Sequence, residues 1–350
     1  VLDSHCDTPS QILRLRDMSL DNDHAHVDFP KLARGGVDGA FFALYIPASL
    51  DSAAASSHAL ALLDGVSRCL NDKAVLTVSA MQALENKKAG RFSVFLGLEN
   101  GSPIGNDLGE LARWYDAGVR YMTLCHSADN QICDSCASAN KTWHGLSPFG
   151  REVVAEMNRL GMLVDVSHVS DETFYDVVGL STKPVVATHS CCRALANHPR
   201  NMTDEMIVRI ARTGGVIQIN FYPLFLDNGF GSIFAESGIM ERGEATESEF
   251  IKDPSDPVKR AAWNAVQDEL MALPRPSYKR IADHIDHAVS LVGTDHVGLG
   301  SDFDGIEVTP SGLEDISMMP VLFDELRYRG YSESDIEKIA GTNFLRVLGA

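Results

Sequence analysis

Short apolar segments separated by longer amphipathic stretches recur along the chain, and this alternation constrains the fold more than any other feature. The segments have the length and composition of buried strands and cover residues 1–5, 39–45, 93–98, 120–125, 162–167, 184–188, 215–220 and 296–301. Parallel strands need long crossover connections, which helices usually supply. The pattern therefore predicts an α/β protein of the (β/α)8 TIM-barrel type, with residues 1–350 as a single domain.

The stretches between these segments predict helices. Apolar residues recur at helical spacing in two of them, at Leu111, Trp114 and Tyr115 and at Val153, Met157 and Leu160. Ser170, Thr203 and Ser332 each precede acidic residues, as helix N-caps do. We expect helices over 56–70, 107–117, 148–160, 170–178, 203–212 and 278–292.

Two connections are longer than the few residues usual in such folds. Residues 127–147 follow the fourth predicted strand, and residues 222–275 follow the seventh. Both leave their strands at the C-terminal end, which is the face where barrel enzymes build their sites. We expect these long loops to form a lid or a wall of the site; insertions without a role there are the alternative.

Residues that can bind metal stand at the ends of most predicted strands. They are His5 and Asp7, Glu99, His126, His168, His189 and Asp302. The C-terminal ends of barrel strands converge, so these side chains can meet in one cavity. In the first segment, V-L-D-S-H-C-D, alternation along a strand places Asp3, His5 and Asp7 on one face. Imidazole and carboxylate suit zinc, and the sequence predicts a metal site.

The charge and hydropathy of the chain exclude several partners. Acidic residues outnumber basic ones by 48 to 30, for a formal charge of −18, and no basic cluster offsets them. A nucleic-acid partner is therefore not expected, because phosphate binding needs clustered Lys and Arg. No apolar run approaches the roughly 20 residues that a membrane span needs.

The seven cysteines form an odd set in a chain too large to need disulfides for stability. Reduced thiols and a cytoplasmic location are expected, although a removed leader remains open because the numbering begins at Val1. Cys133 and Cys136 have C-x-x-C spacing. A structural zinc site would need a second pair of ligands, and the sequence offers none nearby. A local disulfide or two free thiols is therefore favoured over a zinc site.

Several motifs together resemble the membrane (renal) dipeptidase family of zinc metallopeptidases, which have amidohydrolase-like barrels, and the resemblance runs nearly end to end. The motifs are D-S-H-C-D at 3–7, G-L-E-N-G at 97–101, T-L-C-H-S at 123–127, G-L-S-P-F-G at 145–150, D-V-S-H-V-S at 165–170, T-H-S at 188–190, H-P-R-N at 198–201 and G-L-G-S-D-F-D-G at 298–305. The segments 127–147 and 222–275 depart from the family's pattern, so the resemblance leaves the side chains of the substrate open.

The resemblance implies a binuclear site with two Zn²⁺ ions that share a water or hydroxide. His5 and Asp7 would bind one ion, His168 and His189 the other, and Glu99 would bridge them. Family members are commonly dimers, so a homodimer is implied as well.

The resemblance also assigns roles outside the ligand set. His126 would stabilise the oxygen that becomes negative in the tetrahedral intermediate, and Asp302 would transfer protons. Arg200 would pair with the terminal carboxylate of the substrate, and Tyr222 would help to hold it. Each residue has an ordinary alternative: a structural hydrogen bond for His126, a surface salt bridge for Arg200 and simple packing for Tyr222.

The expected function is hydrolysis of the amide bond of small dipeptides, with tolerance of a D-residue at the C-terminal position as a further expectation. A zinc-dependent hydrolase of another small amide or a lactam is one alternative. A barrel that binds metal or amino acids without turnover is another, and a proton-transferring Asp302 favours the enzyme because a binding protein does not need one.

Overall fold

A computed structural model describes residues 1–349 and contains the predicted barrel. The strands are β1 (Leu2–Cys6), β2 (Gly39–Tyr45), β3 (Ala74–Leu76), β4 (Phe92–Glu99), β5 (Val119–Thr123), β6 (Leu163–Asp165), β7 (Val185–Ala187), β8 (Val216–Ile219) and β9 (Val297–Leu299). All eight predicted segments are strands. The short β3 was missed because three residues carry too little periodicity.

The strands form one parallel sheet in the order β1-β2-β4-β5-β6-β7-β8-β9, with β3 added beside β4. Cys6 and Phe303 form a parallel bridge, and the amide of Asp7 donates to the carbonyl of Phe303 at 2.8 Å. These contacts bring the last segment back to the first. The sheet is therefore a nearly closed eight-stranded barrel, as predicted.

Helices cover the outside of the barrel. They are α1 (Thr8–Leu13), α2 (Phe29–Arg34), α3 (Ser52–Cys69), α4 (Ala80–Lys88), α5 (Leu108–Asp116), α6 (Pro148–Leu160), α7 (Asp171–Leu180), α8 (Asp204–Arg212), α9 (Pro223–Leu226), α10 (Asn228–Ser237), α11 (Ile239–Lys252), α12 (Pro257–Met271), α13 (Lys279–Val292), α14 (Met319–Tyr328), α15 (Glu333–Glu337) and α16 (Asn343–Leu348). Short 3₁₀ turns lie at Ser102–Ile104, Thr294–His296 and Ile316–Met318, and a π turn lies at Lys338–Thr342. The predicted N-caps are confirmed: Ser170, Thr203 and Ser332 accept hydrogen bonds from the first turns of α7, α8 and α15.

Three apolar clusters stabilise this architecture. The largest lies between the strands and the surrounding helices. A second fills the barrel interior with Phe41, Phe95 and Tyr121, and Phe344 of α16 closes its lower end. The third joins α10, α11 and α12 through Phe230, Phe234, Ile239, Val266 and Leu270.

Residues 222–275 are helical, so the prediction of a long loop was wrong in conformation. They contain α9, α10, α11 and α12, and α11 packs against α12. These helices were not predicted from the sequence. Their apolar residues pack mainly against one another in the small third cluster, outside the strand–helix alternation on which the prediction rested. We call α10–α12 the helical insertion.

Residues 127–147 contain no helix or strand, yet their backbone is held by buried side chains. The carboxylate of Asp134 accepts hydrogen bonds from the amides of Thr142, Trp143 and Gly145 at 2.8–3.0 Å. Cys133 and Cys136 are both free thiols, so the alternative of a local disulfide was wrong. Within the described residues, no candidate metal group includes either cysteine.

The helices of the described part of the chain are all too short or too polar to cross a membrane.

Candidate functional site

The structure brings the predicted donor residues together at the C-terminal end of the barrel. His5 lies in β1 and Glu99 is the last residue of β4, whereas Asp7, His126, His168, His189 and Asp302 each follow a strand. Their donor atoms form three overlapping groups, each with all atoms within 4.8 Å of one another: His5, Glu99 and His189; Glu99, His126 and His168; and His5, Asp7 and Asp302.

Glu99 lies at the centre of this arrangement. Its Oε1 is 3.1 Å from Nε2 of His168 and 3.5 Å from Nε2 of His189. Its Oε2 is 3.5 Å from Nε2 of His5, which is itself 3.4 Å from Oδ2 of Asp7. One carboxylate thus faces both pairs of predicted ligands, which is the position a bridging ligand needs.

The donor atoms are arranged as a metal site requires. Nε2 of His5 and Oδ1 of Asp7 are buried and have no hydrogen-bond partner, which is costly unless a cation binds them. Nε2 of His168 and Nε2 of His189 lie only 2.9 Å apart. Burial holds the pKa of both imidazoles well below the usual range and keeps them neutral, which is the form that binds metal. The positive charge of Arg200 adds to this effect on both rings, and His5 adds to it on His189.

The carboxylates crowd one another in the same space. Burial raises the pKa of Asp7 to about 6, and repulsion by Glu99 adds to this effect. The pKa of His5 is raised well above its usual value by Glu99 and Asp7, although burial opposes its charge. Such a buried concentration of negative charge calls for a cation, so the residues present fit the metal that the sequence predicts.

A chain of hydrogen bonds orients His189. Asp165 is buried and accepts from the hydroxyl of Thr188 at 2.7 Å, and the same hydroxyl lies 2.8 Å from Nδ1 of His189. Because the hydroxyl donates its proton to Asp165, it accepts from Nδ1–H of the imidazole. Nε2 of His189 therefore presents a lone pair to Glu99 and His168.

Tyr121 holds the ring of His5 in place. Its hydroxyl lies 2.8 Å from Nδ1 of His5 inside the barrel. Gly97 makes room for this ring, because a Cβ there would lie 2.1 Å from it. The sequence reading assigned no role to Tyr121, Thr188 or Asp165; the signal was present, since a polar group inside an apolar barrel strand needs a partner.

Asp3 is not part of the site, so its predicted place beside His5 and Asp7 was wrong. Its carboxylate is buried and accepts hydrogen bonds from the amide and the hydroxyl of Ser301. The pairing of β1 with β2 shifts register between Asp3 and Cys6, which breaks the simple alternation on which that prediction rested.

Asp302 lies beside the donor groups and opens onto solvent. Its Oδ2 accepts from the side-chain amide of Asn220 at 2.8 Å, and its Oδ1 is 3.8 Å from Nε2 of His5. Burial raises the pKa of this carboxyl to about 6, against the attraction of His5. The side chain is 14% exposed, so it can meet both the donor groups and a bound molecule.

Arg200 carries a buried cation without a carboxylate partner. Its guanidinium donates to the carbonyl of His189 at 3.1 Å and lies 5.3 Å from the ring centre of Phe225. Its Nε has no hydrogen-bond partner, and none of the described acidic residues forms a salt bridge with it. The alternative of a surface salt bridge was therefore wrong, and the free guanidinium faces the cavity.

His126 and Tyr222 also line the cavity beside the donor groups. Nε2 of His126 is 3.8 Å from Oε1 of Glu99, and Nδ1 is buried without a partner. Burial, aided by Arg200 and His5, lowers the pKa of His126 to about 3, so the ring is neutral. The hydroxyl of Tyr222 faces Glu307, an acidic side chain that the sequence reading missed.

A cavity of about 820 Å³ opens above the donor groups. Its floor includes Glu99, His168 and Asp302. Both long connections contribute to its walls, as predicted: Ser127 and Ala137 come from the first, and Tyr222, Phe225, Glu247, Phe250, Ile251, Arg260, Trp263, Asn264 and Gln267 come from the second. The volume is in the range of small-molecule sites and is too small for a folded protein substrate.

A family model described as membrane dipeptidase, peptidase family M19, matches residues 1–350. The chain belongs to the membrane dipeptidase family. It is a metallopeptidase of the dipeptidase type, and the resemblance noted from the sequence motifs is confirmed.

Relatives of this dipeptidase are found among fungi and bacteria. The dipeptidase verJ of Clonostachys rogersoniana is 32% identical over 93% of this chain and 75% of its own length. An uncharacterized dipeptidase of Schizosaccharomyces pombe is 32% identical over 99% of this chain and 80% of its own.

Solved structures of dipeptidases share the whole architecture. The probable dipeptidase PvdM of Pseudomonas aeruginosa has a TM-score of 0.84 at 27% identity and covers 99% of this chain and 94% of its own. A metallopeptidase of Rhodobacter sphaeroides, solved with a phosphinate mimic of the dipeptide L-Ala-D-Ala, has a TM-score of 0.81 at 26% identity, with 99% and 98% covered.

Tyr121→Phe tests the orientation of His5. We expect the variant to fold, because only the hydroxyl is removed, and to bind metal about 10- to 100-fold more weakly, as is usual when a partner of a liganding histidine is lost. Titration of the metal-free protein, followed by calorimetry, measures this. Tyr331→Phe is the control, because it also removes one tyrosine hydroxyl, which is bonded to Asp286 away from the donor groups. Equal metal affinity in both variants would contradict the role of Tyr121.

Proposed function

We propose that this dipeptidase binds two zinc ions and hydrolyses free dipeptides. His5 and Asp7 would hold one ion, and His168 and His189 would hold the other. Glu99 would bind both ions. The observation that carries the proposal is the position of Glu99, whose two oxygens face the two histidine groups at 3.1–3.5 Å. Zinc in such a site lowers the pKa of water and polarises a carbonyl, which supplies the nucleophile and the electrophile for amide hydrolysis.

The residues around the donor groups would position the substrate. Arg200 binds the terminal carboxylate with its planar guanidinium, which suits paired hydrogen bonds. Tyr222 lines the same cavity and, like Arg200, lies against Phe225. Asp302 attracts the free amine and accepts a proton from the attacking water. The neutral His126 lies near Glu99 and donates a hydrogen bond to the oxygen that becomes negative.

A D-residue at the C-terminal position is part of the proposal. The phosphinate mimic in the Rhodobacter sphaeroides relative has L-Ala followed by D-Ala, and the two chains share the fold over nearly their full lengths. We expect this dipeptidase to accept both L- and D-residues there, because Arg200 recognises the carboxylate rather than the side chain.

A kinetic screen tests the proposed function directly. Dipeptides with L- or D-residues at each position, their C-terminal amides, and small lactams are offered to the zinc-loaded protein. Hydrolysis of free dipeptides alone supports the proposal. Preference for lactams or amides would favour another amidohydrolase activity, and binding of dipeptides without turnover would favour a binding protein.

Arg200→Ala tests carboxylate recognition. We expect KM for dipeptides to rise about tenfold to a hundredfold, because a hydrogen-bonded pair with a charged group is worth about 1.5–3 kcal/mol. The metal content should stay unchanged. Arg209→Ala is the control, because Arg209 also follows β7 but lies on α8 and pairs with Glu205 at the surface, outside the cavity. If the wild type cleaves amidated and free dipeptides equally well, Arg200 does not bind the carboxylate.

A further inference from the structure

Leu15 has a backbone conformation that a leucine rarely adopts. It follows α1 and its amide donates to the carbonyl of Ile12, but its φ is +66°, in the left-handed region where Gly and Asn are usual after a helix. Its side chain is 61% exposed and lines the cavity. An apolar side chain is thus held at the cavity wall at a conformational cost.

The neighbours of Leu15 keep it there from both sides. Arg14 pairs with Glu247 of α11 at 2.8 Å, which ties this point to the helical insertion. Arg16 pairs with Asp304 at 2.6 Å, which ties it to the turn that carries Asp302. Ion pairs on both neighbouring residues can hold a residue in a conformation it does not prefer.

Positive φ values outside glycine gather around this cavity. His168, Asp302 and Asp304 also have φ between +62° and +73° and also line it. Asp and His tolerate this region better than other residues, and here they belong to the site or adjoin it. Leu15 is the branched apolar member of the group. Backbone strain of this kind concentrates at functional sites.

The helical insertion presents further apolar surface to the same cavity. Ile251, at the end of α11, is 48% exposed, and the indole of Trp263 on α12 is half-buried. Both line the cavity together with Leu15. We call Leu15, Ile251 and Trp263 the apolar rim. Exposed apolar groups at the mouth of a binding cavity are a common feature of ligand recognition.

We propose that the apolar rim binds the side chain of the N-terminal residue of the dipeptide and selects large apolar residues at that position. This inference rests on the proposed function. The N-terminal residue is assigned because Leu15 belongs to the connection after β1, which begins with Asp7, and because its neighbour Arg16 pairs with Asp304 in the turn of Asp302. Arg200, which takes the opposite end of the substrate, belongs to the segment after β7.

Leu15→Asn separates the side chain from the backbone conformation, because Asn tolerates positive φ. Four substrates are compared: Leu-Ala, Gly-Ala, Ala-Leu and Ala-Gly. We expect the ratio of kcat/KM for Leu-Ala over Gly-Ala to fall about five- to tenfold, as loss of a partial apolar contact predicts. The ratio for Ala-Leu over Ala-Gly should not change. The thermal unfolding midpoint should be equal or higher.

Two further variants secure the test. Ile251→Gln changes the rim from the insertion side and should lower the same ratio. Leu20→Asn is the control, because Leu20 is 58% exposed in the same N-terminal segment but does not line the cavity. The assignment of the rim is overturned if the Leu-Ala over Gly-Ala ratio of kcat/KM is unchanged, or if kcat/KM falls equally on all four substrates. It is also overturned if only the Ala-Leu over Ala-Gly ratio changes. Failure of the wild type on all four substrates overturns the proposed function itself.

Discussion

Replacing Asp302 by Asn is expected to lower kcat by about two to four decades, the usual contribution of general acid–base catalysis. The substitution keeps the shape of the side chain and its hydrogen bond with Asn220 but removes the base. Asp302 lies beside His5, and its carboxylate opens onto the cavity, so it can take a proton from the attacking water and deliver it to the departing amine. Steady-state kinetics with a cleaved dipeptide measure the loss.

Metal content and inhibitor binding distinguish this role from two others. Asp302 lies within 4.8 Å of the donor atoms of His5 and Asp7, so it could itself bind metal. Loss of metal in the Asn variant would support that role, and an effect confined to KM would mean that Asp302 only anchors the amine. Unchanged zinc with normal affinity for a phosphinate mimic supports proton transfer. Asp23→Asn is the control, because it removes an exposed carboxylate from the same cavity.

Glu99→Gln is expected to remove metal from both groups together and to abolish dipeptide hydrolysis. The wild type should contain about two zinc ions per chain, because the five proposed ligands exceed what one tetrahedral ion with an open position requires. An amide has one oxygen and no charge, so it cannot serve both groups as Glu99 does. Elemental analysis after zinc loading measures the content.

The matched control is Glu325→Gln, which neutralises a buried glutamate paired with Lys279 and Arg329 far from the cavity. It should retain the metal content of the wild type even if it unfolds at a lower temperature. Retention of one full equivalent of zinc in Glu99→Gln would show that the two groups are independent and would contradict the bridging role.

The barrel and the donor residues were predictable because they depend on local patterns. Each strand is a buried run of a few residues, and each donor stands within or directly after such a run. Barrel closure then brings His5, Glu99, His168 and His189 together without further information. Arg200 was predictable only through the family motif, because nothing in its local sequence shows that it is buried without a carboxylate.

The remaining features depend on contacts between distant segments. The wrong place of Asp3 follows from a register shift in β1 and from a hydrogen bond with Ser301. The orientation of His5 depends on Tyr121 of another strand. Leu15 lies between Arg14 and Arg16, which pair with Glu247 and Asp304, and these two partners follow it by more than 200 residues. No short window of sequence contains such information.

The helical insertion has its own apolar cluster and supplies none of the proposed zinc ligands. Its side chains reach the cavity only as walls. Substitutions in α10–α12 can therefore accumulate without disturbing the hydrolytic centre, and natural selection can alter the choice of dipeptide there while the chemistry stays constant. Divergence among relatives of this enzyme should concentrate in that insertion.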